Sequence, residues 1–423
     1  MTAGSSLERA VSRWQIVGLA LNDVVGSGVY LLPAAAAAFL GFASLWAVVA
    51  AGAAVLLLVL CFAEAGGYFD GPGSAYLYAR TAFGEFIGFE VGWMTWLARV
   101  SSVASLSAGF AQALTYLWPA TGSGIGRALA ILFSIGSLTL INVIGVRSGA
   151  RAAVVLAICK ILPLLVFVGV GIWVARAAVA LSTPPGSGRL GEAALLLLYA
   201  YAGFENTAAP AGEYKNPRRD VPFALLVQIA IVTLLYTAVQ WVALGTLPSL
   251  AQSQTPLADA GRLFLGRWGG WLLTVGGAIS ILGTNSNTVL TGPRYLFALA
   301  EDGFGPRALA YVHPRFRTPA VAILVQSTIA LLLALSGSFA RLAALSVIAR
   351  LASYLGTAAA IPFLRRKLGN RQTLRLPGGP LIPLAACLVC ITFVLSATVT
   401  DLVAGGLALL AGLPVYFLRR ADV

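Results

Sequence analysis

Apolar runs long enough to cross a bilayer recur along the whole chain, and they leave little room for another architecture. A spanning helix needs roughly 20 mostly apolar residues. Stretches of that kind fall at 14–39, 42–68, 84–118, 126–145, 152–178, 192–211, 222–246, 268–297, 319–337, 340–364, 380–397 and 400–418. Composition agrees: 59% of the 423 residues are hydrophobic and only 10% are charged, against about 25% charged in a soluble domain. So few charges cannot cover a water-facing surface, whereas a lipid-facing one rewards apolar side chains. The expected fold class is an all-α integral membrane protein of about twelve transmembrane helices.

The net charge of +13 would point a soluble chain towards nucleic acid. Here the basic residues gather in short connections between apolar runs. With the N-terminus placed inside, nineteen Lys and Arg fall on the inner side. Six fall outside (Arg127, Arg176, Arg189, Arg262, Arg267 and Arg341), and Arg99, Lys160 and Arg350 remain within spans. Inner loops are enriched in Lys and Arg, so the bias predicts an even number of spans with both termini cytoplasmic. It also removes the need for a nucleic-acid partner. The expected setting is a multi-pass protein of a bacterial cytoplasmic (inner) membrane, with the lipid bilayer as its surround. The apolar stretch 14–39 exceeds the roughly 7–15 apolar residues of a signal peptide.

Cys61, Cys159, Cys387 and Cys390 all lie in apolar segments and read as small packing residues, not as a disulfide frame or zinc ligands. His313 is the single histidine; it falls in the loop after the eighth span and reads as solvated. Neither a metal nor a cofactor is expected, and an enzyme relying on histidine chemistry is disfavoured. The chain also lacks the GxxxxGK[ST] signature of a nucleotide-driven pump.

Two spans carry helix breakers near their middles. The first reads VGLALNDVVGSGVYLLPAAAA, with Gly26, Ser27 and Gly28 at its centre. The sixth reads ALLLLYAYAGFENTAAPAGEYKNP, with Gly203 at its centre, Glu205 just after and Pro210 downstream. A glycine weakens a helix by about 1 kcal/mol relative to alanine. Irregular backbone at membrane depth survives only where protein or a water-filled cavity covers it. Breaks at matching positions in two halves point to a transporter site. Each break opens a five-helix unit, and an odd number of helices would invert the second copy. Freed N–H groups of a half-helix can hold a carboxylate and freed carbonyls an ammonium, which together fit an α-amino acid. The competing reading takes GSG as a close helix-packing patch, since small residues line membrane interfaces.

The stretches GSGVYLLPAA, GPGSAYLYARTAFGEFIGFEVGW, YAGFENTAAPAGEYKNPRRDVPFA and GPRYLFALAEDGFGPRALAYVHPRFRTP occur in an order that resembles the amino acid–polyamine–organocation superfamily of permeases over nearly the whole length. The first and third resemble most the branch containing the bacterial arginine–agmatine antiporter. The resemblance implies a 5+5 inverted repeat: a cytoplasmic tail 1–13, a first unit 14–178, a second 192–364 and two further helices in 380–418. It implies alternating access around a central site. Gly26, Ser27 and Gly28, with Val24 beside them, would take the substrate carboxylate, and carbonyls near Ala202 and Gly203 its amine. Tyr199 would cover the substrate, Glu205 would act in coupling or gating, and Asn287 would face the substrate. Lys160 matches a lysine that in proton-coupled relatives replaces a bound sodium ion.

Charges inside a membrane need a partner or a task, because each costs about 2.5–3.5 kcal/mol at mid-depth. A lysine buried from water can release and recapture a proton, so Lys160 reads as a coupling residue, with a permanent structural cation as the alternative. Arg99 has three readings: partner of Glu205 or Asp23, ligand for an anionic substrate group, or snorkelling cation. It argues against a cationic substrate. Asp23 and Glu205 either take up a proton with substrate or pair with Arg99 or Arg350. Glu64 and Glu90 read as interfacial. A site with Tyr199, Tyr201, Phe204 and Ser102 suggests neutral or moderately apolar amino acids. Proton symport leads, amino acid/amine exchange is the alternative, and a membrane enzyme or channel is remote.

Overall fold

The computed structural model describes residues 11–69, 74–144, 150–177, 188–207, 214–369 and 374–418. The expected Pro210 and most of the tail 1–13 lie outside the described residues. Within them no strand forms. The chain runs through α1 (Arg13–Val24), α2 (Ser27–Leu40), α3 (Ser44–Gly66), α4 (Ser74–Phe83), α5 (Glu85–Leu114), α6 (Gly124–Ile144) and α7 (Ala150–Val174). There follow α8 (Leu190–Tyr201), α9 (Pro217–Thr246), α10 (Pro256–Glu301), α11 (Ala320–Ser336), α12 (Phe339–Leu368), α13 (Leu381–Leu395) and α14 (Val399–Phe417).

Each expected span has its helix. The first is split into α1 and α2, and the sixth is α8 followed by a break. By length and composition, six helical stretches among the described residues can cross a membrane, one of them running α2 into α3. The other spans are halved, carry buried polar groups as α5 and α10 do, or are as short as the 17 and 15 residues of α11 and α13. α10 bends at Gly266, which separates a short leading helix from the span proper.

The outside of the bundle is apolar. Leu129, Phe133 and Leu140 of α6, Leu384, Leu388 and Leu395 of α13, and Leu407 and Leu410 of α14 are all more than half exposed. Apolar surface on this scale marks contact with another apolar phase. Trp118, Trp173 and Trp268 stand exposed near helix ends, where an interfacial aromatic belt sits. Polar groups are turned inward. Asn285 Nδ2 donates to Ser107 Oγ at 2.9 Å and to Ser134 Oγ at 3.2 Å, tying α10, α5 and α6 together. Interhelical bonds of this type replace the hydrophobic drive that lipid removes.

Helix contacts come in matching pairs. α1 packs on α9 as α8 packs on α3; α1 on α7 as α8 on α12; α10 on α7 as α5 on α12. Exchanging the first five spans for the next five converts each contact into its partner. At one end Lys215 N–H donates to the Val11 carbonyl at 3.1 Å and Arg13 pairs with Asp220 at 2.8 Å, so the start of the first half is fastened to the connection into α9.

The structure corrects two sequence expectations here. α4 was read as connection; it is a short helix held across the bundle end by Arg80, which bonds Asp302 at 2.9 Å. Glu64 is not interfacial. It is fully buried at the end of α3 and accepts both arms of the Arg365 guanidinium, at 2.7 and 2.8 Å, plus the Leu376 N–H at 3.0 Å. A carboxylate with that many donors needs no water. Glu90 is half-buried against Gly412 of α14, and its oxygens have no hydrogen-bond partner among the described residues.

Candidate functional site

α1 ends at Val24. Val25 is extended at φ −73, ψ 96, and Gly26 at φ −134, ψ −141 caps α2, whose helix begins at Ser27. The break therefore falls at Val25–Gly26, earlier than the Gly26–Gly28 expected. Ser27 and Gly28 already form the first turn of α2, so the unpaired N–H groups of that half-helix start there. Gly28 fits the packing alternative: a methyl on it would lie 2.7 Å from Ala200 Cα. Within GSG the break falls at Gly26 and the close helix packing at Gly28.

α8 ends at Tyr201. Ala202 is extended at ψ 145, Gly203 takes φ 124, and a 3-10 turn covers Phe204–Asn206. A Cβ at Gly203 would stand 2.6 Å from the Asp23 carbonyl oxygen. The two breaks thus meet, backbone to backbone.

A cavity lies at that meeting point. Its walls are Asp23, Val24, Gly26, Ser27, Gly28, Arg99, Ser102, Leu106, Tyr199, Ala202, Gly203, Asn206, Thr284, Asn287, Thr288 and Arg350. Its open space is small, about 30 Å³, room for a water or two, so the cavity is nearly closed. Ser27 Oγ and Tyr199 OH stand 3.4 Å apart across one side, and Tyr199 meets Phe339 edge to face. Asn287 donates its amide to Asp23; neither Arg99 nor Arg350 pairs with that carboxylate.

Below the cavity, Glu205 is gripped from four directions. Arg99 approaches its Oε1 at 3.3 Å and Arg350 contacts the same oxygen. Tyr354 OH donates to Oε2 at 3.2 Å and the Gly203 N–H at 2.9 Å. Arg99, Glu205 and Arg350 are 1%, 2% and 6% exposed, so this is a buried triad with one charge in excess. Arg350 also donates to Ser102 Oγ at 2.6 Å, and Arg99 to Asn206 Oδ1. The Nε of Arg99 has no hydrogen-bond partner among the described residues. Both arginines line the cavity while balancing Glu205.

Lys160 lies behind the break and does not line the cavity. Its ammonium donates to the Asn22 carbonyl and to Thr284 Oγ1, both at 2.9 Å. Ser280 and Thr284 hydroxyls serve the Val25 carbonyl at 3.0 Å each, and Tyr236 OH the Val24 carbonyl at 3.2 Å. The carbonyls freed by the break are thus bonded by side chains of α7, α9 and α10.

Two expected wall residues face elsewhere. Phe204 stacks on Tyr354 and meets Phe62 edge to face, in the core beside α3. Tyr201 donates to the Val48 carbonyl at 2.9 Å. The helical period puts residues two apart on opposite faces, so Tyr199 lines the cavity and Tyr201 turns away. Leu106, Asn206, Thr284 and Thr288 were not singled out from the sequence. They are uncharged residues that no motif marked out, and only the fold brings them to the site.

A many-helix membrane bundle with two broken helices meeting at a buried polar cavity has the build of a secondary transporter. The chain belongs to the amino acid permease family, whose model matches residues 11–409. At 30% identity it is similar to a serine/threonine exchanger of Bacillus subtilis (strain 168), over 98% of both chains. It is 27% identical to a branched-chain amino acid permease of the same organism, over 98% of this chain and 93% of that one. It is 26% identical to a methylthioribose transporter of that organism, over 98% and 94%. The resemblance read from the four motifs is borne out. The chain is a multi-pass membrane transporter of amino acids and not an enzyme.

Proposed function

We propose that a small amino acid binds in the central cavity with its carboxylate at the N–H groups opening α2 and its amine at the carbonyls ending α8. The observation that carries this reading is the contact between the two breaks, Gly203 against Asp23, with the cavity beside it. Half-helix ends supply partial positive charge at the start of α2 and partial negative charge at the end of α8. Alternating access follows from two inverted units, 14–178 and 192–364, whose paired helix contacts support the division, with two further helices in 380–418. The arginine-rich end carrying α4 is the cytoplasmic one. Both termini then face the cytoplasm, in the inner membrane.

The substrate side chain points towards Arg99, Ser102, Asn206 and Arg350. Such a wall suits small polar side chains better than the moderately apolar ones expected from Tyr201 and Phe204, and it disfavours a cationic one. The test is uptake of labelled serine, threonine and leucine into liposomes by the purified chain. Serine or threonine is expected to be carried, and Ser27→Leu is expected to cut uptake at least about a hundredfold (near 2.7 kcal/mol) with helicity unchanged. Normal uptake by that variant would end the proposal for α2.

Coupling is to protons. The Lys160 ammonium ties α7 to the last turn of α1; on giving up its proton it lets α1 swing. With Asp23, it is the group placed to transmit protonation to the break. Lys160→Ala is expected to leave substrate exchange intact but to remove the acceleration of net uptake by an inward proton gradient. Unchanged gradient dependence would make the lysine a structural tie. Exchange is the second reading, favoured by likeness to a serine/threonine exchanger; counterflow without gradient-driven accumulation in the unmodified chain would select it.

A further inference from the structure

A second cavity opens at the bundle end that carries α4, between the last turn of α6, the Leu290 and Arg294 face of α10 and the loop leading into α11. Its volume is about 410 Å³, against about 30 Å³ at the centre. One side is basic, with Arg294, Arg315 and Arg317, and the other apolar, with Ile144, Leu290 and Ile323; among the described residues no acidic one lines it.

The loop that forms the basic side is built, not slack. His313 N–H donates to the Thr318 carbonyl and Arg317 N–H to the His313 carbonyl, each at 2.8 Å. The His313 Nδ1 accepts the N–H groups of Arg315 and Phe316 at 3.3 Å. The single histidine is therefore half-buried at the hub of a turn, not simply solvated as its loop position suggested. Thr318 Oγ1 pins the turn to α6 through the Val143 carbonyl at 2.8 Å. Arg317 is held at φ 58, a left-handed conformation uncommon outside glycine. Orientation of the protein by inner-side charge needs only arginines; it does not need them fixed around a concavity.

Asn142 adds a second polar feature. It is 2% exposed and lines the cavity; its Nδ2 is spent on the Leu138 carbonyl at 2.8 Å, while its Oδ1 has no partner among the described residues. An unpaired buried acceptor asks for a donor. The rim faces lipid, with Ile144 50% and Leu324 52% exposed.

We propose that this cavity binds an anionic phospholipid whose headgroup carries a phosphate and a hydroxyl. The phosphate sits between Arg315 and Arg317, whose planar forks suit phosphate oxygens. The hydroxyl donates to Asn142 Oδ1, and an acyl chain follows Ile144 and Ile323 out to the bilayer. Basic recesses between helices at the inner interface hold anionic lipid in this manner.

The test is native mass spectrometry of the full detergent-purified chain with added phosphatidylglycerol or phosphatidylcholine. Phosphatidylglycerol is expected to bind at least about tenfold more tightly. Arg315→Ala with Arg317→Ala is expected to erase that preference, as is Arg315→Glu alone, an exposed change that leaves the Arg317 backbone untouched. Equal retention of the two lipids, or an undiminished preference in whichever variants fold, overturns the proposal. Inorganic phosphate is expected to produce no thermal shift. A shift matching that of phosphatidylglycerol would assign the site to a free anion and equally overturn the lipid.

Discussion

Transport by a Gly203→Val variant is expected to fall at least about tenfold while the bundle still assembles. At φ 124 any side chain is strained, and a β-branched one more than most. The new Cβ would also lie 2.6 Å from the Asp23 carbonyl oxygen, and both neighbours there are backbone. Neither can give way as a flexible side chain would, so the two breaks must part. Separation removes the contact that brings the two half-helix ends to one cavity. Liposome uptake reads the loss, and circular dichroism in detergent confirms the helices. Wild-type uptake by this variant would mean that the meeting of the breaks is incidental to transport.

Removing the charge of Glu205 is expected to cost stability as well as function. The carboxylate stands between Arg99 and Arg350, all three buried. Glu205→Gln leaves two guanidiniums facing one another in a medium that screens them poorly. Breaking a buried pair by removing one partner costs about 3–5 kcal/mol, which thermal unfolding in detergent resolves. Adding Arg99→Met is expected to recover much of that loss, because one unpaired cation is then gone. Losses that merely add would show that the triad is not a unit. Asp23→Asn serves as contrast: its carboxylate is held by a neutral amide, and its loss is expected to leave thermal stability near wild type.

The bundle could be read directly because lipid leaves a simple mark. Each span is a long apolar run, and the connections on one side carry arginine. Breaks were legible for the same reason, since glycine inside such a run is conspicuous. Their placement was less so. Gly26-Ser27-Gly28 looks like one unwound patch, yet only Gly26 leaves the helix; Gly28 is small because Ala200 lies against it, a long-range fact. α4 escaped notice because, at 10 residues, it is far too short for a spanning run.

The site divides along the same line. Backbone positions at breaks were found from sequence, and charged residues stranded in spans were flagged as needing partners. Pairing Glu205 with Arg99 was one of the open readings. Pairing with Arg350 was another; that both arginines grip the same oxygen depends on how α12 packs on α5, which no local pattern encodes. Phe204 and Tyr201 were placed in the cavity because they flank the break, but the helical period sends Tyr201, and the 3-10 turn after Gly203 sends Phe204, towards α3. Thr284 and Thr288 carry no signal beyond ordinary polarity.

The close approach at Gly28 limits how the protein can open. With no side chain between them, α2 and α8 touch as two bare rods, and sliding or prying either one alone would open a void that lipid cannot fill. α2 and α8, one half of each interrupted helix, are therefore built to travel as a single rigid blade. Whatever turns the doorway from one side of the membrane to the other pivots around that blade or swings α1 against it.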